Sequence, residues 1–110
     1  MDDVLQLPAG SGHRLLLNGD LDFERAERIA AALQRYAGGP VVLDLSRCQF
    51  IDSTGIGVLV DALRSYAARG IEVAAVRVRP AVFEVLEIVG VVDVFGRGLF
   101  EIVLDEGEDA

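Results

Sequence analysis

The sequence predicts an α/β domain in which a mostly parallel sheet of four to five strands, opened by an antiparallel hairpin, is packed with helices. Segments with apolar residues at helical spacing alternate with short runs rich in β-branched residues, and glycine or proline closes each helical segment. At the start, two short apolar stretches are separated by a turn rich in proline and glycine.

Val4, Leu5 and Leu7 form the first stretch, Pro8-Ala9-Gly10-Ser11-Gly12 the turn, and His13-Arg14-Leu15-Leu16-Leu17 the returning strand, which Gly19-Asp20 ends. Asp22 then precedes a helix over 23–37, with Ala26, Ile29, Ala30, Leu33 and Ala37 on one face, stopped by Gly38-Gly39-Pro40. Val41-Val42-Leu43-Asp44-Leu45 is nearly continuous in apolar character, the pattern of a central parallel strand covered on both faces. Ser46 to Ile51 leads into Asp52-Ser53-Thr54-Gly55 and a second helix. Its apolar face is Ile56, Leu59, Val60, Leu63, Tyr66 and Ala67, with Asp61, Arg64 and Arg69 outside and Gly70 as its stop. Ile71 to Val76 reads as the next strand, and Pro80 suits the first position of a third helix carrying Val82, Val85, Leu86 and Val89 up to Gly90. Val91 to Phe95 reads as a further short strand, while Leu99 to Leu104 is open between a strand and a last helical turn or two.

A length of 110 residues with 52% hydrophobic residues suits one continuous core, so a single domain is expected over 1–110, without internal repeats. Eighteen acidic against ten basic residues give a formal charge of -8, which disfavours nucleic acid and anionic membrane surfaces as partners. Part of that charge lies in Asp105, Glu106, Glu108 and Asp109, read as a solvated, frayed end without function. The single Cys48 excludes an intramolecular disulfide and suits a buried small hydrophobe in a reducing compartment. The start shows no signal peptide and no stretch is apolar enough to span a bilayer, so a cytoplasmic location is expected. His13, the sole histidine, is read as strand surface and makes no zinc or catalytic constellation with one cysteine. Arg14, Arg77 and Arg79 are scattered and alternate with apolar residues, the pattern of a solvated edge rather than an anion site. Gly55-Ile56-Gly57 lacks the third glycine of a dinucleotide cradle, and no cofactor or metal is implied.

The segment Asp52-Ser53-Thr54-Gly55-Ile56-Gly57 lies where a strand-like approach opens an amphipathic helix. A hydroxyl of Ser53 or Thr54 there can cap the helix, and the same free N–H groups and dipole can accommodate a phosphate. Capping and phosphorylation can share one hydroxyl, and the local chemistry leaves both readings open.

The run Ile51-Asp52-Ser53-Thr54-Gly55-Ile56-Gly57-Val58-Leu59, preceded by Val42-Leu43-Asp44-Leu45-Ser46, resembles the signature of the bacterial anti-sigma factor antagonists, a branch of the STAS-domain family. Leu17-Asn18-Gly19-Asp20-Leu21-Asp22 is similar to the family's Gly-Glu-Leu-Asp loop. Val78-Arg79-Pro80-Ala81-Val82 with Leu86-Glu87-Ile88-Val89-Gly90-Val91 matches its third-helix region. The resemblance spans roughly 13–96 and implies a STAS-like fold, with the family's last helix shortened or absent.

The resemblance further implies a phosphoacceptor at Ser53, with Thr54 the less favoured acceptor and better suited to capping or packing. The implied partners are an anti-sigma factor that is also a serine kinase and a PPM-type phosphatase. Asp20 and Asp22 match positions that face the kinase, though Asp22 can equally cap the first helix. Asp52 either orients the loop, contacts the partner or simply complements the helix dipole. Gly55 and Gly57 permit close backbone approach or relieve packing, and Ile56 joins the partner-binding set. The expected activity is binding, not catalysis, because a hydrolase built on Ser53 would need a base that His13 at a strand start does not supply. The alternative within the same fold is an unphosphorylated adaptor or scaffold in a lipid-transport or signalling complex.

Overall fold

The structure, a computed structural model, describes residues 2–104. The acidic residues Asp105, Glu106, Glu108 and Asp109 lie outside the described residues. The opening hairpin pairs β1 (Val4–Ala9) with β2 (Gly12–Leu17), from Val4 opposite Leu17 to Ala9 opposite Gly12. Then α1 (Phe23–Arg35), β3 (Val41–Leu45), α2 (Ser53–Ala68), β4 (Val73–Val78), α3 (Pro80–Ile88), α4 (Val91–Phe95) and β5 (Phe100–Ile102) follow. The strands lie in the order β1-β2-β3-β4-β5, antiparallel in the first pair and parallel in the rest.

Each parallel connection advances one strand in the same direction, so right-handed crossovers stack α1, α2 and α3 on one face of the sheet. The core lies there, with Leu15, Leu17, Leu43, Leu45, Val76 and Val78 facing Ile29, Leu33, Leu59, Leu63, Val82 and Leu86. Each such leucine, removed from water, contributes on the order of 2 kcal/mol. Tyr66 joins α2 to α1 through its hydroxyl, which donates to the Leu33 carbonyl at 2.6 Å, and burial pushes that phenol up to about 12. Among the described residues, no helix is long and apolar enough to cross a membrane.

Several sequence expectations are corrected. β3 has helices on one face only. Its other face is shielded by arginine stems from neighbouring strands, which leave Asp44 only 1% exposed. α1 ends at Arg35, because Tyr36 turns out of the helix and its hydroxyl donates to the Gly39 carbonyl at 2.8 Å. β4 is displaced along the chain to Val73–Val78, since Val76 and Val78 continue the inward alternation and Arg77 points to the other face.

Val91–Phe95 is helical, not a strand. Gly90 enters it with φ +87, the Val94 and Gly96 N–H groups donate to the Gly90 and Val92 carbonyls, and Val91 and Val92 are buried. The ambiguity at residues 99–104 resolves as the short edge strand β5, beside β4. On α2 the inward positions are Leu59, Ala62, Leu63 and Tyr66, while Ala67 is exposed.

Asp3, just before β1, fastens the hairpin to α1 by accepting from Arg28 Nε at 2.8 Å and Arg25 Nη2 at 3.0 Å. These guanidinium hydrogen bonds lower its carboxyl from 3.8 to about 2. A depressed folded-state value means that the contribution is present above about pH 4 and is lost as the pH falls toward 2. Asp3→Asn is therefore expected to cost about 1 kcal/mol at pH 7, after solvent screening, and almost nothing near pH 2. Urea unfolding of both proteins at the two pH values checks this.

Candidate functional site

The β2–α1 and β3–α2 loops both leave the carboxyl ends of adjacent parallel strands, and they are joined over their whole length. Asp20 Oδ1 accepts from the Gln49 N–H at 2.9 Å and the Phe50 N–H at 3.2 Å, while the Asp20 carbonyl accepts from Arg25 Nη1 at 2.7 Å. Leu21 and Ile51 form a parallel bridge, in which the Leu21 N–H donates to the Phe50 carbonyl and the Asp52 N–H to the Leu21 carbonyl. Leu21 is completely buried. Gly55 makes this junction possible, since a Cβ there would lie 2.0 Å from the Leu21 carbonyl oxygen.

Asp52 is the N-cap of α2. Its Oδ1 accepts from the Gly55 N–H at 2.9 Å, and its Oδ2 accepts from the Phe23 N–H, at the start of α1, also at 2.9 Å. One carboxylate thus serves the amino ends of two helices, and these hydrogen bonds, that from Gly55 foremost, hold its pKa below the ordinary carboxylate value. Asp22 caps α1 by accepting from the Arg25 N–H at 3.1 Å. The expectation that Ser53 or Thr54 caps α2 is therefore corrected: they are its first two residues and both are exposed. Asp52 takes up the Gly55 N–H, so capping makes no claim on the Ser53 hydroxyl.

Asp52→Ala is expected to free both helix starts at once and to lower the Tm by several degrees, with Asp52→Asn retaining part of the loss. Thermal unfolding of the two variants followed by circular dichroism checks this.

The structure brings Asp20, Asp22, Asp52, Ser53 and Thr54 into one surface, whereas Gly55 is buried beneath it and Ile56 is half-buried and packs against the core. Gly57 needs no close approach, because nothing lies within 4 Å of a Cβ built there. Two further residues went unnoticed in the sequence. Phe23 is 76% exposed and Phe50 is 56% exposed, and each flanks Asp52 through its backbone connections or its place in the chain. The signal for Phe23 was an aromatic residue directly after a cap, off the periodic face of α1.

His13 lies at the opposite end of the sheet, where β2 begins, with its ring edge-on to Tyr36 and Nδ1 3.2 Å from the Tyr36 hydroxyl. Cys48 is buried, its thiol donates to the Phe50 carbonyl, and burial pushes its pKa up, away from nucleophilic use. Among the described residues, no group of three or more His, Cys, Asp or Glu could hold a metal ion.

Residues 13–108 match the model of the STAS domain. The chain belongs to the STAS-domain family. Within it, this STAS domain is related to the anti-sigma factor antagonists. It is 31% identical over 83 residues to the anti-sigma-B factor antagonist of Listeria monocytogenes, covering 73% of each chain. It is 32% identical over 78 residues to the anti-sigma F factor antagonist of Paenibacillus polymyxa, covering 67% of each. Among solved structures, a sulfate transporter family protein from Wolinella succinogenes superposes with a TM-score of 0.73 at 23% identity, covering 88% of this chain and 81% of that one. That likeness concerns the fold alone. As a member of this family the STAS domain is a regulatory binding module and not an enzyme.

Proposed function

We propose that this STAS domain is an anti-sigma factor antagonist that binds a kinase-type anti-sigma factor, thereby frees a sigma factor, and is switched off by phosphorylation of Ser53. The observation that carries this reading is the exposed Ser53 at the first position of α2, beside a capping carboxylate that leaves its hydroxyl uncommitted. The relatedness to two anti-sigma factor antagonists supports the choice of partner. Asp20, Asp22, Asp52 and Thr54 belong to the contact surface, with Gly55 and Ile56 supporting it from behind, and a PPM-type phosphatase resets the switch. Both proteins meet the domain in the cytoplasm.

The physical logic combines apolar anchoring with charge. Phe23 and Phe50 offer desolvatable aromatic area, the first bonded to Asp52 through its N–H and the second two residues before it, the kind of anchor that dominates interface energetics. A phosphoryl group on Ser53 adds about -1.5 to -2 charge where Asp20, Asp22 and Asp52 already contribute three carboxylates. The two helix amino ends tolerate that charge within the domain, but a partner that must dry the surface meets an uncompensated dianion.

Intact-mass and peptide mass spectrometry of the protein from its native host, with and without phosphatase treatment, tests the reading. A phosphoryl group on Ser53 that the phosphatase removes is the expected result. Its absence under all growth and stress conditions would overturn the switch and leave an unphosphorylated adaptor.

A further inference from the structure

α1 and α2 run side by side over the sheet, and a groove stays open between them on their outer side. Its mouth lies between Phe23 and Thr54, on the surface that carries Ser53, and its far end between Gln34 and Ser65. Ala30 and Val58 line both parts and make it one continuous feature. From Phe23 to Gln34 the groove follows α1 for about 16 Å, or about three helical turns.

The groove owes its depth to small side chains, Ala26 and Ala30 from α1 with Val58 and Ala62 from α2, and the buried Leu33 and Tyr66 close its inner end. The largely exposed ring of Phe23 stands at the mouth, so apolar surface continues from the Ser53 region into the groove.

Charge narrows the choice of occupant. Glu24 and Glu27 of α1 and Asp61 of α2 line the groove and are exposed, and among the described residues none of the three takes part in an ion pair. No arginine lines it. Arg25 and Arg28 bond to Asp3, although Arg28 still feels the charge of Glu24, and Arg69 is engaged with the Gln34 and Tyr36 carbonyls. Arg64, one turn past Asp61, is exposed and outside the lining.

An apolar floor between carboxylate rims is the counterpart of an amphipathic helix whose apolar stripe is flanked by lysine or arginine. The same rims disfavour a second copy of this chain, with its formal charge of -8, and the chain's own Asp105, Glu106, Glu108 and Asp109.

We propose that the α1–α2 groove receives a basic amphipathic helix of the anti-sigma factor, with its apolar side chains on Ala26, Ala30, Val58 and Ala62 and its cations against Glu24, Glu27 and Asp61. This docking rests on the reading that Ser53 faces such a partner, and it adds a second zone of contact that phosphorylation does not touch.

Isothermal titration calorimetry of the full chain with the purified cognate anti-sigma factor tests it. Ala30→Gln, which fills the floor, and the double variant Glu27→Gln with Asp61→Asn, which neutralises the rims without adding bulk, are each expected to weaken binding about tenfold. Glu84→Gln, the same change at an exposed carboxylate of α3, should leave affinity unchanged. Wild-type affinity in both the filled and the neutralised variant, with Ser53→Asp still weakening binding, would overturn the groove while the phosphorylation switch stands.

If the anti-sigma factor fails to bind even the wild-type chain, the reading of the partner falls, and a synthetic helix decides for the groove itself. A peptide of about 14 residues with leucine and lysine on opposite faces should shift backbone amide resonances along 23–34 and 54–66, and its glutamate-for-lysine counterpart should not. Shifts scattered over the whole acidic surface, or equal for the two peptides, would rule out the groove as a docking site for a basic helix.

Discussion

A single methyl group added at residue 55 should remove about 3 kcal/mol of stability and lower the Tm by about 15 °C. The Cβ of Gly55→Ala would meet backbone first: the Leu21 carbonyl oxygen lies 2.0 Å away and its carbon 2.8 Å away, with the buried Leu21 Cγ at 2.9 Å. The first turn of α2 can relieve that overlap only by retreating from the Leu21–Ile51 bridge, which would pull Asp52 from the start of α1. Gly57→Ala, only two residues on, supplies the internal control. Nothing lies within 4 Å there and the residue is helical, so alanine should stabilise by about 0.5–1 kcal/mol. Calorimetry of the two variants should give Tm changes of opposite sign, and a neutral Gly55→Ala would contradict the close approach.

The contrast between these two glycines also marks what was legible in the sequence. Local pattern placed β3 at Val41–Leu45 and the α2 start after Asp52 where the structure has them, because a nearly continuous apolar run and small polar residues ahead of an amphipathic segment are local signals. It could not separate Gly55 from Gly57, since the obstacle at one of them comes from Leu21, distant along the chain. The misreading of Val91–Phe95 has a similar origin: four apolar residues around Asp93, three of them valine, fit either period, and only their position after the left-handed Gly90 decides for a helix. The capping role of Asp52 was hidden by the competing hydroxyls of Ser53 and Thr54. The arginines of the open face were hidden because their proximity depends on strand register.

At the functional surface, Ser53→Asp is expected to weaken binding to the cognate anti-sigma factor by at least about a hundredfold, roughly 3 kcal/mol. Ser53→Ala should abolish phosphorylation while leaving affinity within about threefold of the wild type, because the hydroxyl neither caps α2 nor is buried. Phe23→Ala or Phe50→Ala should each cost about tenfold or more if the exposed rings are the apolar anchors of the interface. Isothermal titration calorimetry with the purified kinase measures all four. Equal binding by the wild type and by Ser53→Asp would refute the charge-based switch, and retained binding in both phenylalanine variants would move the contact away from this surface.

The carboxylate that Asp52 shares between Phe23 and Gly55 bears on how quickly such a domain could respond. With both helix starts fixed to one side chain, and the loops beneath them bridged at Leu21 and Ile51, the proposed acceptor, the Ser53 hydroxyl, is held on a rigid mount. On the proposed reading, modification would alter the electrostatic face of the molecule without refolding it, so that no slow structural relaxation would stand between phosphoryl transfer and partner release. The pace of the signal would be set by the turnover of the modifying enzymes and the lifetime of the complex, and the free domain would be ready to bind again as soon as the phosphate is removed.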